Sequence, residues 1–178
     1  MHNDIEQILL TQEQIQKRIR ELGAQLSADY AGKDPIFVGV LKGVVIFFAD
    51  MVRAVDIPCQ FDFMCIKSYH GTESNGQPTI VMDVNAKLEG RHVVILEDVF
   101  DTGTSLQFTY EHLLKRNPAS LRICTLLDKP SRRKPGITVT ADYTGFEIEN
   151  KFVVGFGLDY NERYRNLPYV GCLKPEAI

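Results

Sequence analysis

Three acids and a hydroxyl-rich glycine turn crowd one short stretch of this chain. Four apolar residues, Val93 to Leu96, run directly into Glu97 and Asp98, and Asp101-Thr102-Gly103-Thr104-Ser105 follow close behind. Two adjacent carboxylates are costly to bury unless cations or hydrogen-bond donors meet them. Sugar hydroxyls are such donors, and a bound Mg²⁺ is such a cation. The turn after the acids is expected to open a helix, and backbone N–H groups at a helix N-terminus attract phosphate. Gly103 lets the backbone approach a ligand closely. The plainer alternative is an acidic turn with Thr104 or Ser105 as a helix N-cap, a common arrangement.

The elements around this stretch alternate. Thr11 and Gln14 form a capping box, and Ile15, Ile19, Leu22 and Leu26 then share one helical face that Gly32 can end. Residues 36–41 read as a buried strand, and Phe47, Phe48, Met51, Val52 and Val55 as a helix. From Pro58 a strand alternates Cys59, Phe61, Phe63 and Cys65 against Gln60, Asp62 and Met64. Residues 68–78 form a long polar loop, and loops of that length are usually functional or disordered. Residues 93–96, 121–127 and 152–157 read as further strands, with a helix from Leu106 to Arg116. Strands alternating with helices imply an α/β domain built on a largely parallel sheet. In such sheets ligands bind beyond the carboxyl ends of the strands. Three of those ends are chemically capable here: Lys42-Gly43, Glu97-Asp98 and Asp128-Lys129.

Bulk properties exclude several classes. The 178 residues suit one compact domain spanning 1–178. The net charge of -3 lacks the basic excess of most nucleic-acid binders. The N-terminal residues do not read as a signal peptide, and the longest apolar run, Val44 to Ala49, is far too short for a membrane span. No nucleic-acid or membrane partner is expected. Cys59, Cys65, Cys124 and Cys172 form no CxxC pair, as expected of reduced thiols in a cytoplasmic protein. His2, His70, His92 and His112 are scattered and take no role. Arg132-Arg133-Lys134 reads as a solvated basic face. There is no GxxxxGK[ST] loop, and Gly155-Phe156-Gly157 lacks the third glycine of a dinucleotide fingerprint.

The segment VVILEDVFDTGTSL (93–106) resembles the phosphoribosyl-pyrophosphate (PRPP) motif of the type I phosphoribosyltransferases. That resemblance implies a mostly parallel sheet flanked by helices, with a small hood formed by the chain termini. It implies that Glu97 and Asp98 hold the ribose hydroxyls and that Asp101, Thr102, Gly103, Thr104 and Ser105 bind the 5′-phosphate region. Ser105 stands where the family often has threonine, and Phe100 is bulkier than the usual aliphatic residue.

Three further segments resemble the hypoxanthine-guanine branch, and together they cover nearly the whole chain. Leu41-Lys42-Gly43 matches the pyrophosphate loop, whose first peptide is often cis in the family. Ser68-Tyr69 heads a loop that would close over the reacting centre and exclude water. The third match is LLDKP with KFVVGFGLDYNERYRNLPY. In it Lys129 would donate to the purine O6, and an ammonium, which only donates, selects a 6-oxopurine. Phe152 would stack on the base, Val153 would meet its edge, and Asp159 would line the purine site and contact a metal. Arg165 would join Lys42 and Gly43 on pyrophosphate. By themselves Phe152 and Val153 read as plain strand core.

The implied activity is transfer of a phosphoribosyl group from PRPP to N9 of hypoxanthine, and of guanine, giving IMP or GMP. Mg²⁺ would be held by Glu97 and Asp98, with Asp159 contacting a second Mg²⁺, and Asp101 would act as the catalytic base toward the purine. The implied assembly is a homodimer or homotetramer. Two alternatives stay open: a xanthine-preferring transferase, and a regulator on the same fold that binds PRPP or nucleotides and contacts RNA or DNA.

Overall fold

The computed structural model describes residues 1–68 and 78–178. Its eight strands are β1 (Ile5–Leu10), β2 (Ile36–Leu41), β3 (Gln60–Ser68), β4 (Pro78–Met82), β5 (His92–Phe100), β6 (Ser120–Asp128), β7 (Tyr143–Glu147) and β8 (Val170–Leu173). Its three α-helices are α1 (Gln12–Asp29), α2 (Val45–Ala54) and α3 (Thr104–Leu114). Six strands form one sheet in the order β4-β3-β2-β5-β6-β7. All neighbours are parallel except β4, which runs antiparallel to β3. β1 and β8, near the two ends of the chain, pair separately as an antiparallel ribbon, which corresponds to the expected hood.

The central strand β5 is apolar on both faces. Val94 and Leu96 pack with α1 and α2 through Leu22, Phe47 and Met51. Val93 and Ile95 pack on the other side with Leu106 and Leu113 of α3. A strand covered on both faces reads as a continuous apolar run, and for that reason residues 93–96 stood out. The capping box at Thr11 and Gln14 forms as expected, and α1 ends at Tyr30 just before Gly32.

Several expectations need correction. The strand does not stop at Leu96; Glu97 and Asp98 lie within β5, opposite β6. The helix after it starts at Thr104, two residues earlier than Leu106. In β3 the alternation is misleading, because Met64 is fully buried while Phe61 is 60% exposed. Met64 belongs to the core beneath α3, whereas Phe61 sits edge-on to Phe48 at the rim of the other layer. Residues 152–157 are not a sheet strand. Val154 makes an isolated bridge to Gly171, and the chain then turns through positive φ at Gly155, Phe156 and Gly157. The place of a further parallel strand is taken by β7 instead.

Candidate active site

β2, β5 and β6 end on the same side, and a cleft of about 370 Å³ opens there. Lys42 and Gly43 follow β2, Glu97, Asp98 and Asp101 come from β5 and its turn, and Lys129 follows β6. All of them line the cleft, with Ser105, Phe152, Val153, Asp159 and Arg165. A smaller adjoining hollow is lined by Thr102, Gly103 and Ser105 with Glu97 and Asp101. Of the expected residues Thr104, the first of α3, and Ser68 line neither. Ser68 ends β3, and Tyr69 lies outside the described residues.

The glycine turn presents bare backbone. Gly103 is the N-cap of α3 at φ +87°, and it brings no side-chain cap to the helix start. Neither Thr104 nor Ser105 is the N-cap, so the plainer alternative does not hold. A side chain at Gly103 would meet Ile137 and Phe100. The hollow therefore faces the positive end of a helix, which suits an anion.

Among the described residues no cation forms an ion pair with Glu97 or Asp98, and the positive charge felt there is that of Arg165. Burial pushes the Glu97 carboxyl well above its ordinary range, and the neighbouring Asp98 adds to the rise. Burial raises Asp98 as well, although Arg165 pulls the other way. Two carboxyls this close and largely shielded from water favour a shared proton or a cation. Among the described residues no cluster of three or more His, Cys, Asp or Glu forms a metal cage. Mg²⁺ commonly binds through one or two carboxylates plus substrate oxygens, so this donor set fits it.

The 41–43 loop is pressed between the Asp98 carboxylate and the backbone at Gly157. The Leu41–Lys42 peptide is cis. A Cβ on Gly43 would overlap the Asp98 carboxylate, and a Cβ on Gly157 would overlap the Gly43 carbonyl oxygen. Gly157 thus seats the C-terminal segment directly against this loop. Arg165 donates to the Gly157 carbonyl at 2.9 Å and pairs with Asp159 at 2.9 Å. Its Nε is buried and has no partner among the described residues, a donor left over for an incoming anion. Glu162, which sequence reasoning missed, pairs with Lys42 at 3.2 Å and with Arg165 at 3.4 Å. The Glu162 carboxylate thus bridges the two cations.

At the other end of the cleft, Lys129 is 5% exposed and its ammonium meets Asp101 Oδ2 at 3.2 Å. The other oxygen, Oδ1, accepts from Arg132 Nε at 3.0 Å. Burial pushes Asp101 up, but the hydrogen bonds and charges of Arg132 and Lys129 outweigh it and hold the carboxyl below its ordinary value. Phe152 is not strand core. It is 54% exposed on the cleft wall and meets Tyr160 edge-on. Val153 is buried beside it. The basic run 132–134 is not a plain solvated face either, since Arg132 and Arg133 both turn back on the site.

A parallel sheet whose strand ends carry an acid pair, an uncapped glycine turn and a glycine-locked loop defines a class. The family model for the phosphoribosyl transferase domain matches residues 6–161, and the chain belongs to that family. Its relatives narrow the class. The hypoxanthine-guanine phosphoribosyltransferase of Staphylococcus aureus is 51% identical over 178 residues, covering 99% of this chain and 98% of that protein. The bifunctional protein TilS/HprT of Listeria innocua is 48% identical over 99% of this chain, which spans only 27% of that longer protein. Among solved structures, a hypoxanthine phosphoribosyltransferase from Staphylococcus aureus superposes with a TM-score of 0.94 at 50% identity, covering 99% of this chain and 96% of that one. The Trypanosoma cruzi hypoxanthine phosphoribosyltransferase in complex with the product IMP gives 0.92 at 38% identity, covering 100% and 99%.

Proposed function

We infer that this chain is a purine-salvage enzyme that transfers the 5-phosphoribosyl group of PRPP to N9 of hypoxanthine, and of guanine, with release of pyrophosphate. The observation that carries the reading is the pairing of Lys129 with Asp101 beside the exposed Phe152 ring. A 6-oxopurine fits between these groups. Its O6 accepts from the Lys129 ammonium, its N7 side faces the Asp101 carboxylate, and its ring stacks on Phe152. Val153 meets the ring edge.

The ribose and phosphates fill the rest of the cleft. Glu97 and Asp98 accept from the ribose hydroxyls, while Thr102, Gly103, Thr104 and Ser105 hold the 5′-phosphate at the start of α3. Lys42, Gly43 and Arg165 hold the pyrophosphate, taking the place of Glu162 as their counter-charge. Glu97, Asp98 and Asp159 would hold Mg²⁺, which supplies charge to the leaving pyrophosphate. As N9 bonds to C1′ and the C1′–O bond to pyrophosphate breaks, the purine must lose a proton, and Asp101 accepts it. Ser68, at the end of β3, leads into the segment expected to keep water from the oxocarbenium-like centre. The chain acts as a single domain over residues 1–178, in the cytoplasm, as a homodimer or homotetramer. No helix of the described residues is long and apolar enough to cross a membrane.

Turnover is tested by mixing the chain with PRPP, hypoxanthine and Mg²⁺ and following IMP. IMP should form, should cease with EDTA, and should return with excess Mg²⁺. Salt-sensitive RNA binding with no IMP formation would instead favour the regulator.

A further inference from the structure

We propose that Arg132 is a positioning residue for Asp101, aimed at that carboxylate by a clamp that Arg133 forms on the same turn. The proposal rests on the transferase reading above. Arg132 does not line the cleft, so it acts on the reaction only through Asp101.

The clamp is built from the basic run. Residues 130–132 make one 3₁₀ turn directly after Lys129. The Arg133 guanidinium lies over the Phe100 ring, 3.2 Å from its centre. It donates to the Phe100 carbonyl at 2.6 Å, to the Lys129 carbonyl at 3.2 Å, and to the Asp101 carbonyl. It also pairs with Asp128. Lys134 N–H donates to the Thr102 carbonyl at 3.1 Å. The turn after β6 is thereby stitched to the 100–102 turn after β5. A planar guanidinium with several fixed donors suits this task better than a flexible ammonium.

The consequence lies in what happens when substrate arrives. Asp101 has two charged partners here, Lys129 on Oδ2 and Arg132 on Oδ1. Purine O6 draws Lys129 to itself. Arg132, outside the cleft, stays where it is. It then remains alone to hold the Asp101 rotamer, with Oδ2 turned to the purine, and to keep the carboxylate ionised until the proton moves.

The charged groups on Asp101 are Lys129 from the end of β6 and Arg132 from the following turn, with Arg133 on its carbonyl. These cations hold Asp101 below its ordinary range. Losing one should raise the carboxyl, so the acid limb of the kcat profile should move to higher pH.

The test compares Arg132→Gln and Arg132→Lys with the unaltered chain. It follows IMP formation across pH, with separate KM values for PRPP and hypoxanthine. A charge-assisted hydrogen bond on a part-exposed group is expected to be worth about tenfold in kcat. Arg132→Gln should lose about that factor, shift the acid limb upward, and leave the PRPP KM unchanged. Arg132→Lys should recover part of the loss. An Arg132→Gln profile that superposes on the parent's, with equal kcat, overturns the proposal and leaves the transferase reading standing. So does a loss confined to the PRPP KM. Absence of IMP formation by the unaltered chain overturns the transferase reading, and the proposal with it.

Discussion

Asp101→Asn should lower kcat for IMP formation by ~10²–10⁴, the usual reach of general-base assistance, while PRPP binds as before. The carboxylate is the group beside the purine that can take its proton, and the amide keeps its shape but cannot. Binding should survive because the proposed phosphate contacts come from the α3 N-terminus and the proposed ribose contacts from Glu97 and Asp98. The change also leaves Lys129, buried at 5% exposure, without its carboxylate partner. Without that carboxylate to orient it, the ammonium should hold the purine O6 less well, so the hypoxanthine KM should rise while the PRPP Kd stays fixed. Titration calorimetry with PRPP and Mg²⁺, beside single-turnover IMP formation, separates these effects. A PRPP Kd that weakens in step with kcat would make Asp101 a phosphate-side ligand instead.

Gly43→Ala should be nearly as damaging, for a purely steric reason. Its Cβ would overlap the Asp98 carboxylate, which is itself buried. The loop has no room to retreat, because Gly157 presses on the Gly43 carbonyl from the other side. Either the loop or the acid pair must move, and a shift of about an ångström can cost ~10² in rate. Both PRPP affinity and kcat should fall, since the loop and Asp98 serve the same substrate. Pyrophosphate binding measured alone should weaken too. Full activity in Gly43→Ala would mean that the loop is looser than this packing indicates.

How much of this was legible beforehand depends on whether the interactions are local. β5 was plain because both its faces are buried, and the acids and glycine turn follow it without a break. β7 was missed because Tyr143-Thr144-Gly145-Phe146-Glu147 is a short, half-buried edge strand without a clear alternation. The β1–β8 ribbon was implied by the family resemblance alone, since it joins Ile5 to Leu173 and no local pattern announces such a pairing. Residues 152–157 look like a strand by apolar content. The positive φ at Gly155, Phe156 and Gly157 instead bends them onto Gly43.

The site shows the same division. Lys42, Asp101, Lys129 and Arg165 were nameable because each sits in a recognisable motif. Arg132 and Glu162 were not, since their partners lie far away in sequence. Arg132 pairs with a carboxylate 31 residues earlier, and Glu162 with a lysine 120 residues earlier. A short basic run is usually solvated, and only the turn at Pro130 folds this one back. Its place three residues after Lys129 was the one signal available.

The central claim is that the Lys129–Asp101 end of the cleft reads a 6-oxopurine. Pyrophosphate release from PRPP with Mg²⁺ tests it most directly, with hypoxanthine, guanine, xanthine and adenine offered in turn. The account predicts rapid release with hypoxanthine and guanine and almost none with adenine, whose 6-amino group cannot accept from an ammonium. Adenine as the best acceptor would contradict it.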